Sequence, residues 1–208
     1  MPLSAAFESW TNREGKTVQL ELVEVTGQGA EKAGVFAMRN GRKVTIKKAD
    51  LNEESEKKID AWRPKISGPA SVFDEVLDSN LVIIDGEKFK DHTIAKRPAK
   101  YYVFYYTASW CGPCRNFTPT LVEFYKKNKT DNFEIVLISC DRDPNAMEGY
   151  AAKDKMPWPN LKLDQVGAFR SKFDHGVSGI PSVIVCDLKG NIVTNNGRDL
   201  AALEQLVK

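Results

Sequence analysis

No apolar run in this chain of 208 residues approaches the roughly 20 needed to cross a bilayer as a helix. Charge of one sign is not in excess either: 30 basic against 28 acidic side chains leave a formal charge of +2. No field of that size steers the chain to nucleic acid or to an anionic membrane surface. Cysteine is scarce, with four residues, too few for a disulfide-stapled secreted scaffold. Histidine is scarcer still, with His92 and His175 alone, which leaves little material for a metal centre. The opening Met-Pro-Leu-Ser-Ala-Ala has neither the basic start nor the apolar core of an export signal. The expectation is therefore a cytoplasmic protein, with a periplasmic or secreted location the alternative if an export signal has been trimmed away.

What is present is an ordinary globular composition, 42% hydrophobic and 28% charged, with a break in pattern near one third of the length. Residues 16–25 alternate apolar and polar and predict a half-buried strand. Residues 34–39 and 43–47 predict two more, joined at Asn40-Gly41, which reads as a type I′ hairpin turn. Asn52-Glu53-Glu54-Ser55 predicts a capped helix running to about Trp62. Residues 7–62 thus predict a small β-rich module closed by one helix. Arg63-Pro64-Lys65-Ile66-Ser67-Gly68-Pro69 reads as the linker, residues 63–69.

Beyond it the pattern changes. Residues 72–77 predict a short helix and 81–84 a short strand. Residues 101–107, 133–140 and 182–186 are nearly continuous apolar runs, as in strands buried on both faces. Helical stretches lie between them at about 114–127 and 166–173, then a turn at Lys189-Gly190-Asn191 leads to strand 192–194 and a closing helix 199–207. That alternation predicts an α/β domain over residues 70–208.

Within it, Trp110-Cys111-Gly112-Pro113-Cys114 falls where a buried strand gives way to a helix. Free N–H groups at a helix start stabilise a thiolate, so Cys111 is expected to be the exposed nucleophile. Cys114, one turn further on, is placed to attack the mixed disulfide that Cys111 forms. Pro113 has no N–H to lose in a first turn, and Trp110 is expected to flank the sulfurs. The competing reading, structural zinc, needs four ligands at short spacing. Cys140 and Cys186 stand apart in expected strands, where small buried residues are the simpler reading. His92 reads as a loop residue and His175, beside Gly176, as a helix cap. No metal and no cofactor is expected. Gly179-Ile180-Pro181 precedes the last buried strand, either as an edge proline or as a cis-proline loop presenting the Ile180 backbone to an extended substrate. Trp158, between Pro157 and Pro159, either rims the site or wedges beneath it.

The run Tyr102-Val103-Phe104-Tyr105-Tyr106-Thr107-Ala108-Ser109-Trp110-Cys111-Gly112-Pro113-Cys114-Arg115-Asn116-Phe117-Thr118-Pro119 resembles the thioredoxin superfamily, in its nucleoredoxin and tryparedoxin-like branch. Ser139-Cys140-Asp141, Met156-Pro157-Trp158, Gly179-Ile180-Pro181-Ser182 and Gly197-Arg198 follow in the family's order. The resemblance implies a thioredoxin-like fold, a central sheet flanked by helices. It also implies a thiol–disulfide oxidoreductase with Cys111 attacking, Cys114 resolving and Pro181 cis. Its partners would be disulfide-bearing proteins or peptides and an upstream thiol reductant, with no nucleic acid and no membrane span. Tyr105 stands where thioredoxin keeps a buried Asp, which leaves Asp141 or water as proton acceptor for Cys114.

The first module, through Trp10-Thr11, Gly15-Lys16, Asn40-Gly41-Arg42-Lys43-Val44 and Leu51, resembles the SLA1 homology domain 1, an SH3-like β-barrel. That resemblance implies a packing unit or a peptide-binding one. Two further functions compete with the reductase: a redox-sensitive adaptor, and an oxidant or isomerase in an oxidising compartment. A thiol peroxidase fits less well, since its nucleophile usually works without a C-x-x-C partner.

Overall fold

The computed structural model describes residues 7–27, 29–62 and 66–208. The chain divides into two compact units, with the boundary along the sequence between residues 65 and 66. Among the described residues no helix is long and apolar enough to cross a membrane.

In the first unit, β1 (Glu8–Thr11), β2 (Thr17–Thr26), β3 (Ala33–Ala37) and β4 (Lys43–Lys47) form an antiparallel sheet in that order, followed by α1 (Glu53–Ala61). Leu20, Phe36 and Trp10 supply its core with Leu51 and Ile59. The Trp10 ring meets Phe36 edge-on at 4.7 Å, and its indole N–H donates to the Leu20 carbonyl at 3.1 Å. The helix starts as its sequence predicts: the Asn52 side chain accepts from the Ser55 N–H at 2.9 Å.

Two features differ from expectation. First, β1 and β4 are the sheet's two edges and do not meet, so among the described residues the sheet is open and no barrel closes. Second, the Asn40-Gly41 turn is not type I′. Only Gly41 takes positive φ (80°), and its N–H donates to the Met38 carbonyl at 2.9 Å, while Met38 and Arg42 close the loop. This is a three-residue loop, a tight turn followed by one left-handed glycine, and it needs one positive φ rather than two.

Residues 63–65 of the expected linker lie outside the described residues. Its remainder is fastened to the second unit: the Ser67 N–H donates to the Ala95 carbonyl, and the Arg97 N–H donates to that of Ser67, both at 2.9 Å.

The second unit begins with α2 (Asp74–Leu77), β5 (Leu81–Asp85), β6 (Lys88–His92) and β7 (Tyr101–Thr107). Then come α3 (Gly112–Asn128), β8 (Phe133–Ser139), α4 (Pro144–Lys153) and β9 (Asn160–Leu161). The chain ends with α5 (Val166–Lys172), β10 (Ser182–Asp187), β11 (Ile192–Thr194) and α6 (Leu200–Val207). The strands form one mixed sheet in the order β11-β10-β7-β8-β9-β5-β6, with β7 and β8 parallel and β10 antiparallel to β7.

The two-faced burial expected of β7 is realised by its alternation. Val103 and Tyr105 face a layer built with Leu121 and Tyr125 of α3, Tyr150 of α4 and Leu203 of α6. Tyr102, Phe104 and Tyr106 face the other, with Phe73, Leu77 of α2 and Phe169 of α5. Trp158 is fully buried in the first layer, 5.6 Å from the Tyr125 ring, so it is a wedge and not a rim. His92 ends strand β6 rather than lying in a loop. Gly197 marks a close approach: a Cβ there would come within 2.9 Å of the Val183 carbonyl oxygen, which accepts its N–H.

Candidate active site

The sheet delivers the cysteine pair to the end of β7, an interior strand between β10 and β8. After Thr107 the chain turns at residues 108–110, and Cys111 caps α3, with its sulfur accepting the Cys114 N–H at 3.2 Å. A sulfur in that position meets the unpaired N–H groups and the positive end of a 17-residue helix, the setting that stabilises a thiolate. Gly112 and Pro113 form the first two helical positions, where the missing proline N–H costs nothing. Cys111 and Cys114 are joined as a disulfide, with Cα atoms 5.2 Å apart. Contrary to the expectation of an exposed nucleophile, Cys111 in the disulfide is only 6% exposed, covered by Ala108, Cys140 and Ile180; Cys114 is fully covered, and Trp110 beside them is 66% exposed.

Two loops frame the pair. The Ile180–Pro181 peptide bond is cis, and the Ile180 carbonyl oxygen lies 3.8 Å from the Cys111 sulfur. On the other side, Asp141 follows β8, and its carboxylate accepts from the Ser109 N–H (3.0 Å), the Ser109 hydroxyl (2.7 Å) and the Ser139 hydroxyl (2.9 Å). Those bonds tie the turn that carries Trp110 to the end of β8. A cleft of about 500 Å³ opens there, lined by Ser109, Trp110, Asp141 and Arg142. Cys140 packs with Ile180 against the cluster of Ala108, Cys111 and Cys114, while Cys186 is fully buried in β10. Burial pushes both free thiols up, Cys186 to about 12, so both hold their protons at neutral pH. No cluster suited to a metal ion occurs among the described residues.

Beneath the pair lies a hydroxyl chain that the sequence reading missed. Tyr105 and Tyr150 both reach the Thr118 hydroxyl, at 2.7 and 2.5 Å, and the Thr118 hydroxyl donates to the Cys114 carbonyl at 2.9 Å. Thr107 reaches the Tyr150 hydroxyl at 3.1 Å. One assignment satisfies all four. Thr118 spends its single hydrogen on the Cys114 carbonyl and accepts from both tyrosines, and Tyr150 accepts from Thr107. Burial holds the Tyr105 phenol above its ordinary range, so the chain is neutral where thioredoxin places a carboxylate. The sequence signal was Thr118, four residues after Cys114 and therefore on the same helix face.

The expected helix cap, His175, is no cap: α5 ends at Lys172, and the imidazole is buried with both ring nitrogens engaged.

A disulfide-bonded cysteine pair at a strand-to-helix junction, framed by a cis-proline loop at one end of a helix-flanked mixed sheet, defines a thioredoxin-like domain. The family model described as "Thioredoxin-like" matches residues 99–192. Nucleoredoxin of Xenopus laevis is 34% identical over 140 residues, which span 66% of this chain but only 31% of that protein. The solved tryparedoxin of Trypanosoma brucei is 31% identical, with 64% of this chain and 92% of that one covered and a TM-score of 0.50. A tryparedoxin II solved in complex with glutathionylspermidine gives 31%, 65%, 94% and 0.51 in the same terms. The chain belongs to the thioredoxin-like proteins, and its homologues there are nucleoredoxins and tryparedoxins.

Proposed function

We propose that the chain is a thiol–disulfide oxidoreductase that reduces protein or small-molecule disulfides through Cys111 and Cys114. The observation that carries this reading is the Cys111–Cys114 disulfide at the start of α3, beside the Ile180 carbonyl. In the reduced protein the Cys111 thiolate attacks one substrate sulfur, forming a mixed disulfide and expelling the other half as a thiolate. The Cys114 thiolate then attacks the Cys111 sulfur, releasing the second half as a thiolate and closing the internal disulfide. The substrate gains two electrons and the dithiol loses two, which an upstream thiol reductant must restore. Asp141 is a positioning residue in this scheme, since its carboxylate is engaged with Ser109 and Ser139. The proton of Cys114 leaves to water, since the hydroxyl chain touches the Cys114 carbonyl and not its sulfur.

The domain assignment is part of the proposal: a module at 7–62, a linker at 63–69 and the redox domain at 70–208. For the module, an SLA1 homology domain 1-like, SH3-like unit that binds a peptide is supported by one feature. Val18 and Met38, 42% and 37% exposed, line an open cleft of about 600 Å³ on its sheet together with Arg39. The tryparedoxin II ligand, a small thiol peptide conjugate, makes a low-molecular-weight disulfide a reasonable first substrate. A cytoplasmic reductase fits the chain's composition, and the oxidant alternative is decided by the potential.

The test is a trap. Cys114→Ser, incubated with a disulfide-closed peptide, is expected to gain the peptide's mass at Cys111 and hold it. An adduct at Cys140 or Cys186 instead, or none, overturns the assignment.

A further inference from the structure

The loop that brings Ile180 to the disulfide, residues 173–181, contains no helix or strand, and Gly176 and Gly179 interrupt it. Its conformation must therefore be set by side chains. Val177 and Ile180 pack against the layer of α5 and β7, and one polar residue reaches inward. That residue is His175, 7% exposed, five positions before Ile180. Its Nδ1 is 2.8 Å from the Tyr106 hydroxyl on β7, and its Nε2 is 3.6 Å from the Cys186 sulfur on β10. The same two strands carry the cysteine pair and follow Pro181.

We propose that His175 is a positioning residue for substrate docking: its two hydrogen bonds fasten the Ile180–Pro181 loop to β7 and β10, and protonation releases it. The inference rests on the oxidoreductase reading above, in which the substrate docks along that loop.

The chemistry of the three groups suits a neutral ring. The Cys186 thiol, pushed up to about 12 by burial, keeps its proton at neutral pH. The neutral imidazole has one N–H and one bare nitrogen, so it donates to one of its two partners and accepts from the other. A protonated ring would carry N–H groups at both positions, one of them aimed at the thiol sulfur, a poor acceptor. The surroundings oppose the charge further. Phe104, Phe169 and Phe73 rings lie 5.1, 5.8 and 6.4 Å away, and the Arg170 guanidinium of α5 sits against the Tyr106 ring. Asp174, adjacent in the chain, is the one charge that favours protonation, and burial outweighs it, holding His175 below the usual imidazole range. The sign follows. The anchor is complete above the unfolded-state value of about 6.5 and is lost as pH falls through the lower folded value.

The measurement is single-turnover reduction of a disulfide-closed decapeptide by the prereduced protein. This separates half-saturation, which reports docking, from the limiting rate, which reports Cys111. His175→Phe keeps a ring in the cavity and loses both bonds, whereas His175→Asn retains a group for Tyr106. His175→Phe is expected to raise half-saturation about fivefold at pH 7.5, the weight of one net hydrogen bond, and His175→Asn less. In the wild type half-saturation should climb as pH falls below the usual imidazole range and through the lower folded value of His175, and in both variants it should stay flat. A merely space-filling role gives the reverse, with Phe matching wild type and Asn worse, and overturns the proposal. A wild type that reduces nothing at pH 7.5 overturns the oxidoreductase reading instead. Hydrogen exchange at residues 176–180 then judges the anchor alone: it should quicken in His175→Phe, and unchanged exchange overturns it.

Discussion

Cys111→Ser is expected to abolish disulfide reduction, by about 10⁴-fold or more, the scale on which removing a covalent nucleophile is felt. The argument is local. Serine at the cap of α3 can accept the Cys114 N–H as the sulfur does, so the helix start and the fold should survive the change. What is lost is a thiolate at neutral pH, since a hydroxyl in the same place stays protonated. Cys140 and Cys186 cannot substitute, because burial keeps both as thiols and neither has a partner spaced as Cys114 is. The check is turnover of a peptide disulfide alongside a thermal melt of the same sample. Loss of turnover with an unchanged melt supports the assignment. Retained turnover removes Cys111 from the chemistry.

Phe104→Ala is expected to cost about 3–5 kcal/mol of stability, the usual range for emptying a fully buried aromatic site. Phe104 is wholly covered at the middle of β7, with the Phe73, Phe169 and His175 rings 4.8, 4.9 and 5.1 Å away. Three elements converge on it, so the walls cannot collapse inward without moving the sheet. Urea unfolding of the full chain should show the transition of the second unit shifted to lower urea with its slope unchanged. A loss under about 1.5 kcal/mol, the cost of a tolerated swap, would mean the ring is not the centre of that layer.

The sequence was most legible where one physical demand dominates. The runs at β7, β8 and β10 read as strands because both their faces are buried, and the cysteine pair read as a redox site because of its junction. The misses share the opposite property. Strand β6, Lys-Phe-Lys-Asp-His, is an edge strand whose polar residues face water, so it lacks an apolar signature. Helix α4 carries only Met147, Tyr150 and Ala151 inward and is broken in pattern by Gly149, although Asp143 and Pro144 at its start were a usable cap signal. His175 looked like a helix cap because Gly176 follows it. Its true partners, Tyr106 and Cys186, lie 69 and 11 residues away and meet only in the folded sheet. The hydroxyl chain was hidden likewise, since Thr107, Tyr150 and Thr118 come from three elements. The open sheet of the first unit reflects a limit of pattern reading: strands can be placed singly, but closure depends on whether the first and last meet.

The central claim, that Cys111 and Cys114 form a reducing dithiol, is tested most directly by their reduction potential, measured by equilibration against a glutathione series with Cys111→Ser as the control. The Gly-Pro between the cysteines predicts a value near that of thioredoxin, about −270 mV, or below. A value above about −180 mV would contradict the reductase and make the protein an oxidant or isomerase.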